Sequence, residues 1–67
     1  MEDEISQKIL NILKKAGEPL ETGEIEEQMK GTTRSKIMYR LSDLRAENKI
    51  KGKRISSGGK GVWIWWK

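Results

Sequence analysis

Apolar residues recur every three or four positions over the first part of the chain, with polar residues between them. This spacing is typical of one face of an amphipathic α-helix. Acidic residues precede the apolar stripe, and Gly17 stands where helices often end in a left-handed residue. The pattern therefore predicts a first helix over about 3–16. Its apolar stripe consists of Ile5, Ile9, Ile12, Leu13 and Ala16.

A second, shorter helix is predicted over about 22–30. Thr22 is a suitable N-cap, acidic residues fill the first turn, and Ile25 and Met29 lie about one turn apart. The connection before this helix contains a proline and is expected to be extended, with Leu20 as an apolar anchor on the core.

A third helix is predicted over about 33–47. Ile37, Leu41 and Leu44 share one face of it and should point to the core. Asn48 follows at the position where a left-handed residue would end the helix, a conformation that asparagine tolerates.

The periodicity then changes to that of β-strands, over about 49–66. The runs KIKGKRI and GVWIWW are rich in β-branched and aromatic residues, and SSGGK separates them. This arrangement predicts a β-hairpin with a longer, mobile loop.

Alternation along the second strand divides its apolar residues between two faces. Val62, Ile64 and Trp66 are predicted to face the core, with Trp66 under the first helix. Trp63 and Trp65 are then predicted to lie on the outer face, where two exposed indoles are costly. Either they cover the side of the third helix, or they contact another subunit and are a candidate protein interface.

Composition limits the classes of function. A chain of 67 residues without repeats or linkers is read as a single α+β domain over 1–67. It contains no cysteine and no histidine, so no catalytic set, metal site or cofactor site is expected, and the chain is not predicted to be an enzyme. No apolar run is long enough to span a membrane, and the acidic start MEDEISQK is unlike a signal peptide, so a cytoplasmic location is expected.

Charge is distributed unevenly along the chain. The net charge is −4 over residues 1–30 and +8 over residues 31–67. Such an asymmetry indicates a polyanionic partner for the second part.

The second and third helices, joined at Gly31 and Thr32, form a candidate helix-turn-helix, in which the second helix of the pair enters the DNA major groove. If the apolar face of the third helix is buried, its basic residues point outward, and small hydroxyls near its start can bind phosphate. The arginines can read guanine through two hydrogen bonds. The candidate DNA-binding residues of this unit are Thr32, Thr33, Arg34, Ser35, Lys36, Tyr39 and Arg40, with Asp43 on the same outward face.

Nearly the whole chain resembles a winged helix-turn-helix domain of the small prokaryotic type found in MarR-like and ArsR-like transcription regulators. The residues that carry the resemblance are ILNILKKAGEPLETGEIEEQM, TTRSKIMYRLSDLRAENKI and KGKRISSGGKGVWIW. The resemblance implies a recognition helix over 33–47 in the major groove and a wing over 51–61 against the DNA backbone. The wing residues that it implies for DNA binding are Lys53, Arg54 and Lys60, with the tip at 56–59.

The order of the elements, from the first helix through a long helix to a strand with tryptophan, is also similar to that of domains that bind left-handed Z-DNA. Those domains use an asparagine and a tyrosine on the recognition helix, and the matching positions here hold Met38 and Ser42. This departure argues against Z-form recognition.

The expected function is binding of duplex DNA as a small transcription regulator. Two alternatives remain open, an adaptor module that binds a protein, and RNA binding through the same basic face. A homodimer is a further hypothesis, because one recognition helix covers few base pairs, and the contact would use the first helix or the tryptophans. A small-molecule effector is not expected in a domain of this size.

Overall fold

Three α-helices and a three-stranded antiparallel sheet make up the fold, as the predicted α+β class requires. The computed structural model describes residues 3–67, with the side chain of Ser57 left aside. In chain order the elements are α1 (Glu4–Ala16), β1 (Leu20–Glu21), α2 (Thr22–Glu27), α3 (Arg34–Ala46), β2 (Lys51–Ser57) and β3 (Lys60–Trp66).

The ends of α1 follow from its sequence. The Asp3 carboxylate accepts a hydrogen bond of 2.8 Å from the backbone N–H of Ser6, and so satisfies one of the free donors at the helix start. Gly17 ends the helix with φ of 65°, which confirms the predicted left-handed cap.

The helix α2 begins at residue 22 as predicted, but its predicted N-cap and its predicted end were wrong. Its N-cap is Glu21, whose backbone N–H donates to the Glu24 carboxylate at 2.8 Å, and Thr22 is the first helical residue instead. The regular helix ends at Glu27 rather than near residue 30. Met29 is nevertheless buried in the turn that follows, so the apolar spacing identified a core residue beyond the end of the helix.

The ends of α3 agree with the sequence pattern. The Thr33 hydroxyl accepts from the backbone N–H of Lys36 at 3.3 Å. At the other end Asn48 has φ of 61°, as predicted, and its N–H donates to the carbonyl of Arg45. The N–H of Lys49 donates to the carbonyl of Leu44 at 2.9 Å. These two hydrogen bonds form a Schellman motif, which turns the chain from α3 toward β2.

The sheet has the strand order β1, β3, β2, with both pairings antiparallel. Gly58 and Gly59 join β2 to β3 with φ of 61° and 86°. Two central residues with positive φ are typical of the tight type I′ turn of β-hairpins. The prediction of a longer, mobile loop was therefore wrong, because the strands pair up to Ser57 and Lys60.

The two faces of β3 are the reverse of the prediction. Trp65 is only 2% exposed and belongs to the core, whereas Val62 is 39% exposed and Trp66 is half-buried at the sheet surface. Trp65 therefore cannot serve as an exposed interface residue, and Trp63 is half-buried beside it. The inner face of the sheet is the one that carries Trp63 and Trp65.

One apolar core lies between the helices and this inner face. Leu20 is buried in it, as predicted, and is paired with Trp65 across β1 and β3. Among residues 3–67 no helix is long and apolar enough to cross a membrane. The core residues are Ile9, Leu13, Leu20, Ile25, Met29, Ile37, Leu41, Leu44, Ile50 and Trp65.

Candidate nucleic-acid interface

The exposed side of α3 is fixed by the burial of the opposite side. Ile37, Leu41 and Leu44 are each at most 1% exposed, so the residues about half a turn away face solvent. Tyr39 is 67% exposed at the middle of this side. The first turn of α3 contains basic residues and no acidic residue. This is the reverse of the usual helix preference, so α3 supplies no negative charge of its own at its positive end.

Two of the predicted DNA-binding arginines contact carboxylates of the acidic part of the chain. Arg34 lies 2.7 Å from the Glu26 carboxylate of α2, and the Nε of Arg40 lies 2.5 Å from the Asp3 carboxylate. Glu26 Oε1 and Arg40 Nε are buried atoms without an aligned hydrogen bond, so both contacts are ion pairs by distance only. Arg40 consequently faces the start of α1 and is less outward than predicted.

The neighbours of Asp3 lower the pKa of its carboxyl group. The hydrogen bond from the backbone N–H of Ser6 lowers the pKa of the Asp3 carboxyl below its ordinary value, and the nearby charge of Arg40 lowers it further. Asp3 therefore carries a negative charge beside Arg40 at neutral pH.

Arg45 connects α3 to the β2–β3 hairpin. Its Nε donates to the carbonyl oxygen of Gly52 at 3.2 Å, and its guanidinium carbon lies 5.3 Å from the ring centroid of Trp63. Trp63 in turn is stacked on Trp65, with ring centroids 5.2 Å apart and an angle of 19° between the planes. A cation over an indole face is a favourable contact, so Arg45 holds a guanidinium at the junction of helix and hairpin.

Arg45 was not among the site residues predicted from the sequence. The available signal was its spacing of seven residues from Met38 and three from Ser42, which places all three on one side of α3. The contacts of Arg45 show that this side faces the hairpin.

The three predicted wing residues lie on two different faces of the hairpin. Arg54 is paired with Trp63 on the inner face, and its guanidinium lies over Gly61, where a Cβ atom would collide with it. Lys53 is paired with Ile64 on the opposite face, and strand alternation places Lys60 on that face as well. Only Arg54 therefore shares a face with the Arg45 contact.

The residues at the start of α3 have distinct structural roles. The N–H of Thr32 donates to the carbonyl of Met29 at 3.1 Å, and Thr33 is the N-cap. Ser35 and Lys36 are exposed and line the same shallow hollow as Tyr39 and Arg40. The described residues thus bring a hydroxyl, an ammonium, a phenol and a guanidinium to one exposed surface.

Comparisons with known proteins identify no relative of this chain. No protein-family model matches the chain, and neither the curated proteins nor the solved structures contain a match. Within residues 3–67 there is also no group of three or more acidic, cysteine or histidine side chains placed to hold a metal ion.

Proposed function

We propose that this chain is a winged helix-turn-helix domain that binds duplex DNA and acts as a small transcription regulator. In this proposal α3 lies in the major groove, and the β2–β3 hairpin is the wing that contacts the DNA backbone. The order of the elements supports the proposal, because the second helix of a helix-turn-helix pair is the one that reads bases.

The contact of Arg45 with Gly52 and Trp63 is the observation that carries the proposal. It holds α3 and the hairpin in one relative position and brings Arg45 of α3 to the hairpin face that carries Arg54. Arg34 lies about three turns before Arg45 on the same side of α3, whereas Lys36 lies about half a turn round the helix, beside Tyr39 and Arg40. Preorganised guanidinium groups are well suited to phosphate and to guanine.

The ion pairs of Arg34 and Arg40 are compatible with DNA binding. A surface ion pair contributes only about 0–1 kcal/mol, so exchange of a carboxylate for a phosphate costs little. We propose that Arg34 leaves Glu26, and Arg40 leaves Asp3, when the groove is occupied. Tyr39 then contacts a sugar or a phosphate, and Lys53 and Lys60 approach the backbone from the far face of the wing.

Fluorescence anisotropy with labelled random-sequence duplex DNA across a salt series tests this proposal. Wild-type binding should be micromolar and should weaken steeply with salt, because binding releases counterions from the phosphates. The triple variant Arg34→Ala, Lys36→Ala, Arg40→Ala should bind more weakly and show a smaller salt slope. The slope should fall by about one unit for each cation that no longer neutralises a phosphate.

A matched control removes the same charge from elsewhere. The triple variant Lys14→Ala, Lys15→Ala, Lys67→Ala changes three cations outside α3 and the hairpin and should retain most of the affinity. Equal losses of affinity in the two variants would show that only net charge matters. No binding even at low salt would favour the protein-adaptor alternative, and a preference for duplex RNA would favour the RNA-binding alternative.

Two contacts were predicted for a homodimer, one through the first helix and one through the tryptophans, and the burial of the tryptophans argues against the second. Trp65 is buried and Trp63 is covered on one side by Arg45, so α1 is the remaining candidate contact. Sedimentation of a monomer at high micromolar concentration, with and without DNA, would exclude the dimer.

A further inference from the structure

The sheet face that points away from the helices carries a continuous row of apolar side chains. We call this the outer face and define it by Ile55, Val62, Ile64 and Trp66. The register pairs Ile55 with Val62, and alternation places Ile64 and Trp66 on the same side of β3. Ile55 is 43% exposed and Val62 is 39% exposed, and Ile64 and Trp66 are half-buried. A solvated sheet face normally carries polar residues, so this row is unusual.

Lysines surround the outer face. Lys51 is paired with Trp66 and Lys53 with Ile64, and Lys60 lies on the same side near the turn. Glu21 of β1 is paired with Ile64 from the other edge. Three cations against one carboxylate make this face both basic and apolar.

Trp66 lies between two hollows at one end of the outer face. One hollow, mostly apolar, is lined by Leu13, Gly17 and Pro19 at the end of α1. The other is more polar and is lined by Arg45, Asn48, Ile50, Lys51 and Gly52. An apolar side chain of a bound segment can therefore enter the hollow on the α1 side of the indole.

The combination of apolar side chains and lysines on the outer face favours one kind of binding partner over DNA and over a second copy of the chain. DNA phosphates would use the lysines but not the four apolar side chains. A second copy of the chain, docked through the same face, would bring two sets of lysines together, and like charges at an interface are unfavourable. A surface that offers both apolar contacts and cations is complementary to one that offers apolar side chains flanked by carboxylates.

We propose that the outer face binds an acidic amphipathic segment of another protein, with its apolar side chains on Ile55, Val62, Ile64 and Trp66 and its carboxylates on the surrounding lysines. The inference does not rest on DNA binding. The outer face is on the side of the hairpin opposite to the Arg45–Trp63 contact, so a segment bound there would compete with DNA for Lys53 and Lys60 but would leave the side of α3 around Tyr39 accessible.

The test uses the intact chain, isotope-labelled, and follows its amide and indole N–H signals by NMR. The probe is a short synthetic peptide in which leucine and glutamate alternate. Two matched peptides replace either leucine by serine or glutamate by lysine. The alternating peptide should shift the signals of the outer face in a saturable way, and the matched peptides should not.

A variant that keeps every lysine separates this proposal from the wing contacts. The double variant Ile55→Thr, Val62→Thr retains β-branched residues and should stay folded, as its dispersed NMR spectrum would show. It should bind the peptide about tenfold more weakly, because apolar anchors account for most of the affinity of such contacts. Tyr39→Ser, which removes an exposed aromatic from α3, should bind the peptide like the wild type.

Four results would overturn the inference. These are absence of saturable shifts, shifts on α3 instead of the outer face, unchanged affinity in the double variant, and equal binding of the lysine peptide. Binding to phosphatidylglycerol vesicles without binding to the peptide would assign the outer face to an anionic lipid surface instead. A concentration-dependent dimer that the double variant abolishes would assign it to a second copy.

Discussion

The indole Nε1 of Trp65 donates a hydrogen bond of 2.9 Å to the hydroxyl oxygen of Thr22, and both residues are buried. This bond joins the last strand to the first turn of α2, residues that are 43 positions apart. It explains why a threonine is tolerated in the core, since a buried indole N–H without a partner is costly.

Replacement of Thr22 by valine should destabilise the fold. The change removes the acceptor and leaves the indole N–H buried without a partner, at a cost of about 1–3 kcal/mol. Urea unfolding followed by tryptophan fluorescence measures the difference. Thr22→Ser keeps the hydroxyl and is the control, and the bond would have no energetic role if the two variants were equally stable.

Replacement of Gly52 by alanine should also destabilise the fold. A Cβ at this position would collide with the six-membered ring of Trp65, which packs directly on the Gly52 backbone. Overpacking of this kind costs about 1–3 kcal/mol. At Gly23 a Cβ would meet nothing within 4 Å, and Gly23→Ala in α2 should be neutral or stabilising. Equal unfolding midpoints for the two variants would contradict this packing.

These two contacts explain which parts of the fold could be predicted from the sequence. The apolar spacing of the helices and the cap residues Gly17 and Asn48 are local signals, and they led to correct elements. The orientation of β3 was not a local signal, because both of its alternating sets are apolar. Gly52 makes room for Trp65 and Thr22 accepts from its indole, and both facts depend on pairings between distant segments.

The candidate site also combines features that local sequence signals predict with features that depend on contacts between distant segments. The exposed basic side of α3 could be predicted from helical spacing, because the buried side is continuous. The ion pairs of Arg34 and Arg40 join different helices, so no spacing within α3 indicates them. The role of Arg45 depends on the position of the hairpin and was missed for the same reason.

Replacement of Arg45 by lysine should weaken DNA binding even though the charge is retained. Lysine cannot reproduce both the planar contact with Trp63 and the bond to the Gly52 carbonyl. We expect affinity to fall several-fold with a nearly unchanged salt slope, whereas Arg45→Ala should also reduce the slope by about one unit. Anisotropy titrations at several salt concentrations separate the two effects. Wild-type affinity in Arg45→Lys would show that only its charge matters.

The carboxyl group of Asp3 should make the stability of the fold depend on pH in the acidic range. The folded-state pKa of Asp3 lies below its ordinary value of 3.8. A depressed folded pKa stabilises the fold above the unfolded pKa, and this contribution is lost as the pH falls through the folded pKa. Wild type should therefore be more stable than Asp3→Asn at neutral pH, and the difference should diminish as the pH falls below 3.8 and through the folded pKa. Thermal unfolding of both proteins across this range is the measurement, and a difference that is independent of pH would contradict the assignment.

The same variant should bind DNA more tightly than the wild type. Asp3→Asn removes the carboxylate that pairs with Arg40 and leaves the guanidinium available to phosphate. We expect an increase of a few-fold at low salt, consistent with the modest strength of a surface ion pair. Glu4→Gln removes an equal charge from a neighbouring residue paired with Lys8 and is the control. A larger gain in Glu4→Gln than in Asp3→Asn would argue against competition at Arg40.

An NMR titration of the intact chain with a random-sequence DNA duplex would show whether α3 and the hairpin bind DNA together. The largest shifts should fall on Ser35, Tyr39 and the side-chain N–H signals of Arg45 and Arg54, with small shifts at the end of α1. Shifts confined to the outer face or spread evenly over the lysines of the chain would contradict the assignment of α3 and the hairpin as one DNA-binding surface.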